Sequence, residues 1–174
     1  MIRKTWYLLL ILACFMGSTF SYAGLWVETQ ASVISAGNLV GGVDTTDTRS
    51  VVSATLGYAF QQGFVVGAQA LSFHSTSAAE TAFGYGPKAG LLIKGFEVTA
   101  AYLIDTQDNV LGLNRAGSGF ALNLGYTFHV SGPFRLGALY TYWQNTYNSQ
   151  NAVATGTKYT QSYSIPQVAI AFEF

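Results

Sequence analysis

The residues best suited to chemistry lie in one short run, Phe73-His74-Ser75-Thr76-Ser77, with Glu80 close behind. A histidine can draw the proton from a serine hydroxyl when a carboxylate orients its ring, so this run is the candidate for nucleophilic catalysis. The second histidine, His129, has no such neighbours. Two histidines and one cysteine, Cys14, give no metal-ligand spacing. The glycines follow no phosphate-cradling pattern, and no cofactor is expected. Charge is sparse, at 9% of residues and evenly balanced between eight acidic and eight basic side chains.

The start of the chain reads as a leader, not as part of the fold. Arg3 and Lys4 precede an apolar stretch from Trp6 to Met16, and small or polar residues follow as far as Ala23. That stretch is about 11 residues, against the roughly 20 that a helix needs to cross a bilayer. The expectation is a signal peptide over residues 1–23 and a single mature domain over 24–174. Ile11-Leu12-Ala13-Cys14 loosely matches a lipoprotein cleavage site, although Leu12 fits it poorly. Cleavage after Ala23 leaves a mature chain without cysteine. Removing Arg3 and Lys4 from the eight basic residues leaves six against eight acidic ones. No basic surface for nucleic acid is expected.

Half of the full sequence is hydrophobic, yet the part after Ala23 holds no long apolar run. From Ser118 to His129, Phe120, Leu122, Leu124, Tyr126 and Phe128 alternate with Gly119, Ala121, Asn123, Gly125 and Thr127. On a strand, alternate side chains leave opposite faces. Phe96 to Asp105 divides in the same way, with Glu97, Thr99 and Asp105 sharing a face. Gly84 to Ile93 places Tyr85, Pro87, Ala89 and Leu91 opposite Gly84, Gly86, Lys88 and Gly90. Pro87 cannot donate to a ladder and marks a bulge or the upper end of pairing. Further strands are expected over Leu25 to Ala36, Arg49 to Phe60, Phe64 to His74, Phe134 to about Gln144, and Tyr159 to Phe174. In Phe64 to His74 two faces compete for the outside.

Short glycine-containing links around Gln61-Gln62-Gly63, Lys94-Gly95 and Val130-Ser131-Gly132 alternate with longer polar ones. The longer links are Gly37 to Thr48, Ser75 to Phe83, Thr106 to Gly117, and Asn145 to Lys158. This pattern predicts an all-β fold, an eight-stranded antiparallel up-and-down transmembrane β-barrel with four outer loops.

With the apolar faces turned to lipid, the lumen receives Glu28, Arg49, Lys88, Glu97, Asp105, Arg135 and Glu173. Both signs are present, so mutual neutralisation is expected, with Arg135 near Glu173 and Lys88 near Glu97. Isolated charges in so narrow an interior would be costly to desolvate. Tyr58, Phe60, Phe64, Phe96, Tyr126, Phe128 and Phe134 form an expected aromatic belt near the short turns, at a membrane–water boundary. Tyr102, Tyr140, Tyr142 and Tyr159 are candidates for a second belt.

The chain ends on Val168, Ile170, Phe172 and the terminal Phe174 along one strand face. This resembles the C-terminal strand signal by which the barrel-assembly machinery recognises bacterial outer-membrane proteins. The whole mature chain resembles the small eight-stranded family of OmpX-like proteins, the OmpA barrel and OmpW-like proteins. The resemblance implies a Gram-negative outer-membrane location, reached through the periplasm, with lipid and lipopolysaccharide as neighbours. It implies no shared activity and names no surface partner.

The leading expectation is a non-enzymatic protein with a structural or surface-interaction role through its outer loops. The alternatives are an OmpW-like conduit for small apolar molecules, a periplasmic lipid-binding barrel with apolar residues turned inward, and a lipid A-modifying enzyme. Against the last, position 76 is Thr where the His-x-Ser motif of lipid A deacylases has Ser. A polar His74 at the membrane interface is the simpler reading.

Overall fold

A computed structural model describes residues 24–174, apart from 41–42, 77–78, 111 and 152; for 36–47 and 154–157 it supports backbone statements only. The expected leader and Cys14 lie outside the described residues. Eight antiparallel strands follow in chain order: β1 (Gly24–Val40), β2 (Val43–Ala59), β3 (Phe64–Ser75), β4 (Glu80–Ile93), β5 (Phe96–Val110), β6 (Leu113–Ser131), β7 (Phe134–Gln150) and β8 (Val153–Glu173). Each pairs with its neighbours in sequence, and β8 returns to β1 to close the ring.

Both ends of the described chain and three tight turns lie at one rim, here the terminal rim. At the Lys94–Gly95 turn both residues take positive φ, 51° and 91°. Such a two-residue turn matches the twist of the strands it joins, and glycine adopts the second conformation without a Cβ penalty.

The opposite rim differs from the sequence reading. The four expected long loops are largely strand: β1 and β2 stay paired out to Val40↔Val43, β5 and β6 to Val110↔Leu113, and β7 and β8 to Gln150↔Val153. Their Thr, Val, Asn and Gln residues suit an extended backbone whose neighbours are water and a partner strand. Polarity there marks where the apolar surface ends, and the ladder continues past it. This is the hairpin rim.

Side chains sort by face as the alternation requires. Leu56, Phe96, Val98, Tyr102, Ile104, Leu124 and Val168 are each more than half exposed on the outside, while Glu28, Lys88, Glu97 and Gln69 are buried within. A soluble lipid carrier has the reverse arrangement. For β3 the competition resolves with Val65, Gln69, Leu71 and Phe73 inward and Phe64, Val66 and Ala68 outward.

One irregularity redirects chemistry. Pairing between β4 and β5 passes from Tyr85↔Asp105 to Lys88↔Ala101, and β5–β6 pairing passes from Leu103↔Gly119 to Thr106↔Gly117. Both shifts place one extra β5 residue at Ile104–Asp105, a bulge. It faces Gly86 and Pro87, where the proline has no N–H to offer. Beyond the bulge the inward residues of β5 become Thr106 and Asp108, while Gln107 and Asn109 face outward. Polar residues on the outer face place this part of β5 above the apolar band.

Candidate functional site

The lumen is filled in layers. Next to the terminal rim, Trp26, Ala59, Val65, Leu92 and Ala171 form an apolar floor. Above it lies a polar layer to which every strand contributes: Glu28 and Gln30 from β1, Thr55 from β2, Gln69 from β3, Lys88 from β4, Glu97 and Thr99 from β5, Asn123 from β6, Thr141 from β7 and Gln167 from β8.

At its centre Lys88 Nζ sits 3.2 Å from Glu28 Oε1 and 3.0 Å from Glu97 Oε1. Its ammonium also donates to Thr55 Oγ1 at 3.2 Å. Gln30 Nε2 donates to Glu28 at 2.6 Å, and Thr99 Oγ1 to Glu97 at 2.9 Å. Asn123 Nδ2 bridges Gln69 and Thr99. Thr141 Oγ1 lies 2.8 Å from Asn123 Oδ1 and 2.6 Å from Gln167 Oε1. Among the described residues Glu28 Oε2 and Glu97 Oε2 have no hydrogen-bond partner, so one lysine serves both carboxyl groups. Such a group is favourable only while its ion pairs and hydrogen bonds remain together.

A second apolar layer closes the lumen above this network. Val51, Leu71, Phe73, Leu103, Trp143 and Ile165 pack there, with Tyr163 against them. The Trp143 and Tyr163 ring centroids are 5.1 Å apart, and those of Phe73 and Tyr163 are 4.4 Å apart. Beyond lies a polar mouth. Glu80 reaches from β4 to β8, where Gln161 Nε2 and Tyr163 Oη donate to its carboxylate. Arg115 NH1 stands 3.4 Å from Asp108 Oδ2, with its guanidinium over the Tyr159 ring.

Burial and the nearby Glu80 charge push the Asp108 carboxyl up to about 6, against the opposing pull of Arg115. A carboxylate whose pKa is raised by folding binds its proton more tightly in the native state. Between the ordinary Asp value near 4 and about 6, the fold therefore gains stability as pH falls. Asp108→Asn is expected to remove this component. Denaturation midpoints at pH 5 and pH 7.5 should then differ less in the variant than in the native protein; an unchanged difference would assign the dependence elsewhere.

The residues expected in the lumen separate into three groups. Glu28, Lys88 and Glu97 meet in the polar layer. Arg135 and Glu173 pair at the terminal rim, 3.4 Å apart, with Arg135 also donating to the Thr127 carbonyl at 3.1 Å. Arg49 keeps the inward parity of Val51, Ser53 and Thr55 and lies exposed at the hairpin side of the lumen. Asp105 departs from the expectation. The β5 bulge takes Asp105 out of the inward series, and Gln107 Nε2 donates to it at 3.3 Å in an exposed position. Sequence reasoning missed the neutral amides Gln30, Gln69, Asn123 and Gln167 and the mouth carboxylate Asp108, and it set Glu80 beside His74 instead of in the mouth. Gln30 shares the parity of Glu28 on β1, Gln167 that of Glu173 on β8, and Asn123 alternates with the large apolar residues of β6, a signal present in the alternation. Asp108 lies past the bulge, where simple alternation places it on the wrong face.

The His74 constellation does not assemble among the described residues. His74 is exposed on the outer face of β3, its Nδ1 3.4 Å from Thr81 Oγ1, while Ser75 is buried on the other face and Glu80 is engaged across the lumen. The Thr76 hydroxyl is taken up by the Thr48 backbone. Ser77 lies outside the described residues.

Tyr58, Phe60, Phe64, Phe96, Tyr126 and Phe128 are exposed on the outer face near the terminal rim. Several pack as pairs, among them Phe96 with Tyr126 and Phe134 with Phe172. Val168, Ile170, Phe172 and Phe174 are all exposed along the outer face of the last strand.

These features define an eight-stranded up-and-down barrel with an apolar exterior and a filled, layered interior. Among solved structures, the chain is similar in fold to Neisserial surface protein A (NspA), at a TM-score of 0.54 and 14% identity over 87% of this chain and 99% of that one. No protein-family model matches the chain, and no curated protein matches its sequence.

Proposed function

We propose that this chain is an integral outer-membrane protein, non-enzymatic, whose outer hairpins present a structural or surface-interacting face. The observation that carries the reading is the inversion of the barrel: large apolar side chains cover its exterior while charges and amides lie within. Exposed to water, so extensive an apolar band would drive aggregation; facing lipid, it is favourable. The aromatic residues near the terminal rim match the boundary of such a band. The fold likeness to a surface protein supports the same location.

The leader is cleaved after Ala23 on this reading, and the assembly machinery recognises the Val168, Ile170, Phe172 and Phe174 face. The barrel's partners are membrane lipid and lipopolysaccharide, and the hairpins meet a surface partner of their own. Two apolar layers interrupt any straight aqueous path, which weighs against an open conduit. The separation of His74 from Ser75 and Glu80 weighs against acyl-transfer chemistry.

Single cysteines at the two rims test the orientation. Asn151→Cys, at a hairpin tip, is expected to react with a membrane-impermeant maleimide in intact cells. Gln62→Cys, in a turn of the terminal rim, is expected to react only after the envelope is opened. Equal labelling of both in intact cells would contradict the placement.

A further inference from the structure

The outer wall of a barrel is convex, yet where β4 to β7 rise above the apolar band a trough of about 390 Å³ is cut into it. Register explains the shape. One row across the strands runs Phe83, Gln107, Ala116 and Ser149, each opposite the next in the ladder. Between β6 and β7 the pairing passes from Gly117↔Tyr147 to Ala116↔Ser149, which leaves Asn148 as an extra residue. Such a bulge turns Ser149 outward beside Ala116. Two small side chains thus follow a large ring along the row, and the wall steps inward.

The next row toward the hairpin rim is Thr81, Asn109 and Asn114. Asn109 Nδ2 donates to Asn114 Oδ1 at 2.6 Å, and the Gly112 N–H donates to Asn109 Oδ1 at 3.3 Å. These amides are held in place without a ligand. Gln107 Nε2 is likewise engaged, on Asp105. Among the described residues no hydrogen bond uses Asn114 Nδ2 or Gln107 Oε1, and both side chains are exposed. A donor and an acceptor therefore stand ready beside the ring.

The lining selects a class of ligand. Phe83 is 41% exposed, its ring tilted against Tyr85 with centroids 6.0 Å apart. The outward side chains around it carry no charge, because Asp108 and Arg115, which border the trough, turn inward and pair with each other. An ion finds no counter-charge here. An acyl chain would leave the amides without partners. The four strands are already paired on both sides, so an added peptide strand finds no edge. A neutral sugar fits what is present, with an apolar C–H face for the ring and hydroxyls for the amides.

We propose that this trough binds the sugar head group of a neutral glycolipid in the surrounding leaflet, its apolar face on Phe83 and its hydroxyls on Gln107 and Asn114. The proposal rests on the membrane reading above and gives the outer wall a partner distinct from that of the hairpin tips. The trough opens sideways from the wall, just above the band. A molecule standing in the adjoining leaflet reaches it directly.

Protein purified from membranes is reconstituted in phosphatidylcholine vesicles that also contain diglucosyl diacylglycerol and phosphatidylglycerol with the same acyl chains. Native mass spectrometry then counts the lipids retained on the released barrel. The expected result is one glycolipid retained in preference to both phospholipids, with apparent affinity falling about tenfold in Phe83→Ala and about tenfold in the double variant Gln107→Ala, Asn114→Ala. Ala116→Trp, which fills the trough, should remove the preference. These side chains lie on the outer wall, so each variant should keep its heat modifiability. Equal retention of the three lipids, preference for the anionic one, or a glycolipid preference that survives both Phe83→Ala and Ala116→Trp overturns the site while leaving the barrel intact. Binding of free maltose without retention of the glycolipid would overturn the choice of a membrane partner. Failure to recover any heat-modifiable protein from the membrane would instead sink the membrane reading, and the site with it.

Discussion

Lys88→Met is expected to destabilise the barrel by about 3–5 kcal/mol, because it strands two buried carboxylates that share one cation. Glu28 Oε1 and Glu97 Oε1 both lie within 3.2 Å of Lys88 Nζ, and among the described residues the second oxygen of each carboxyl group has no partner to fall back on. Urea titration of the protein in lipid vesicles, followed by gel mobility, measures the loss. Adding Glu28→Gln and Glu97→Gln in the same chain should restore most of it, since neutral amides can still bond to Gln30 and Thr99 at lower desolvation cost. A single substitution costing under about 1 kcal/mol would show that the triad is not the electrostatic centre of the fold.

The second large effect concerns the upper apolar layer. Trp143 is 1% exposed, and its indole Nε1 donates to Asn145 Oδ1. Trp143→Ala removes the largest side chain of that layer and leaves a cavity between the polar network and the mouth, at about 3–5 kcal/mol. Emptying the layer also joins the amides below to Glu80 and Asp108 above. The floor layer around Trp26 still closes the lumen in that variant, so small ionic currents across planar bilayers are expected only when Trp26→Ala is added, and not from the native protein or from Trp143→Ala alone. If Trp143→Ala is as stable as the native protein, its indole does not hold the upper layer together.

What the sequence revealed follows from what alternation encodes. A period of two reports a face directly, so the eight strands, the exterior of β4 and β6, and the pairing of Lys88 with Glu97 were all legible. Arg135 and Glu173 were legible for the same reason, being close to the same rim on adjacent strands. Alternation carries no information about strand ends once both faces are polar, and the hairpins of residues 37–48 and 106–117 therefore read as loops. It also fails silently at a bulge. One extra residue at Ile104–Asp105 inverts every later side chain of β5, which is why Asp105 was expected inside; Asp108 was overlooked because it lies in a stretch that read as a loop. The early end of β1–β8 pairing, at Ala31↔Val168, was invisible for a different cause: Pro166 signals that a ladder loses a donor, but not on which side.

The central claim is that these strands span a lipid bilayer as a closed, detergent-resistant barrel. Heat modifiability of membrane-extracted protein tests it most directly, as a difference in gel mobility between unboiled and boiled samples in detergent. A compact, faster-migrating band before boiling that slows after it is the expected result, and it should be retained in Asp108→Asn. Protein that stays in the soluble fraction after cell lysis, with one mobility before and after boiling, would contradict the account.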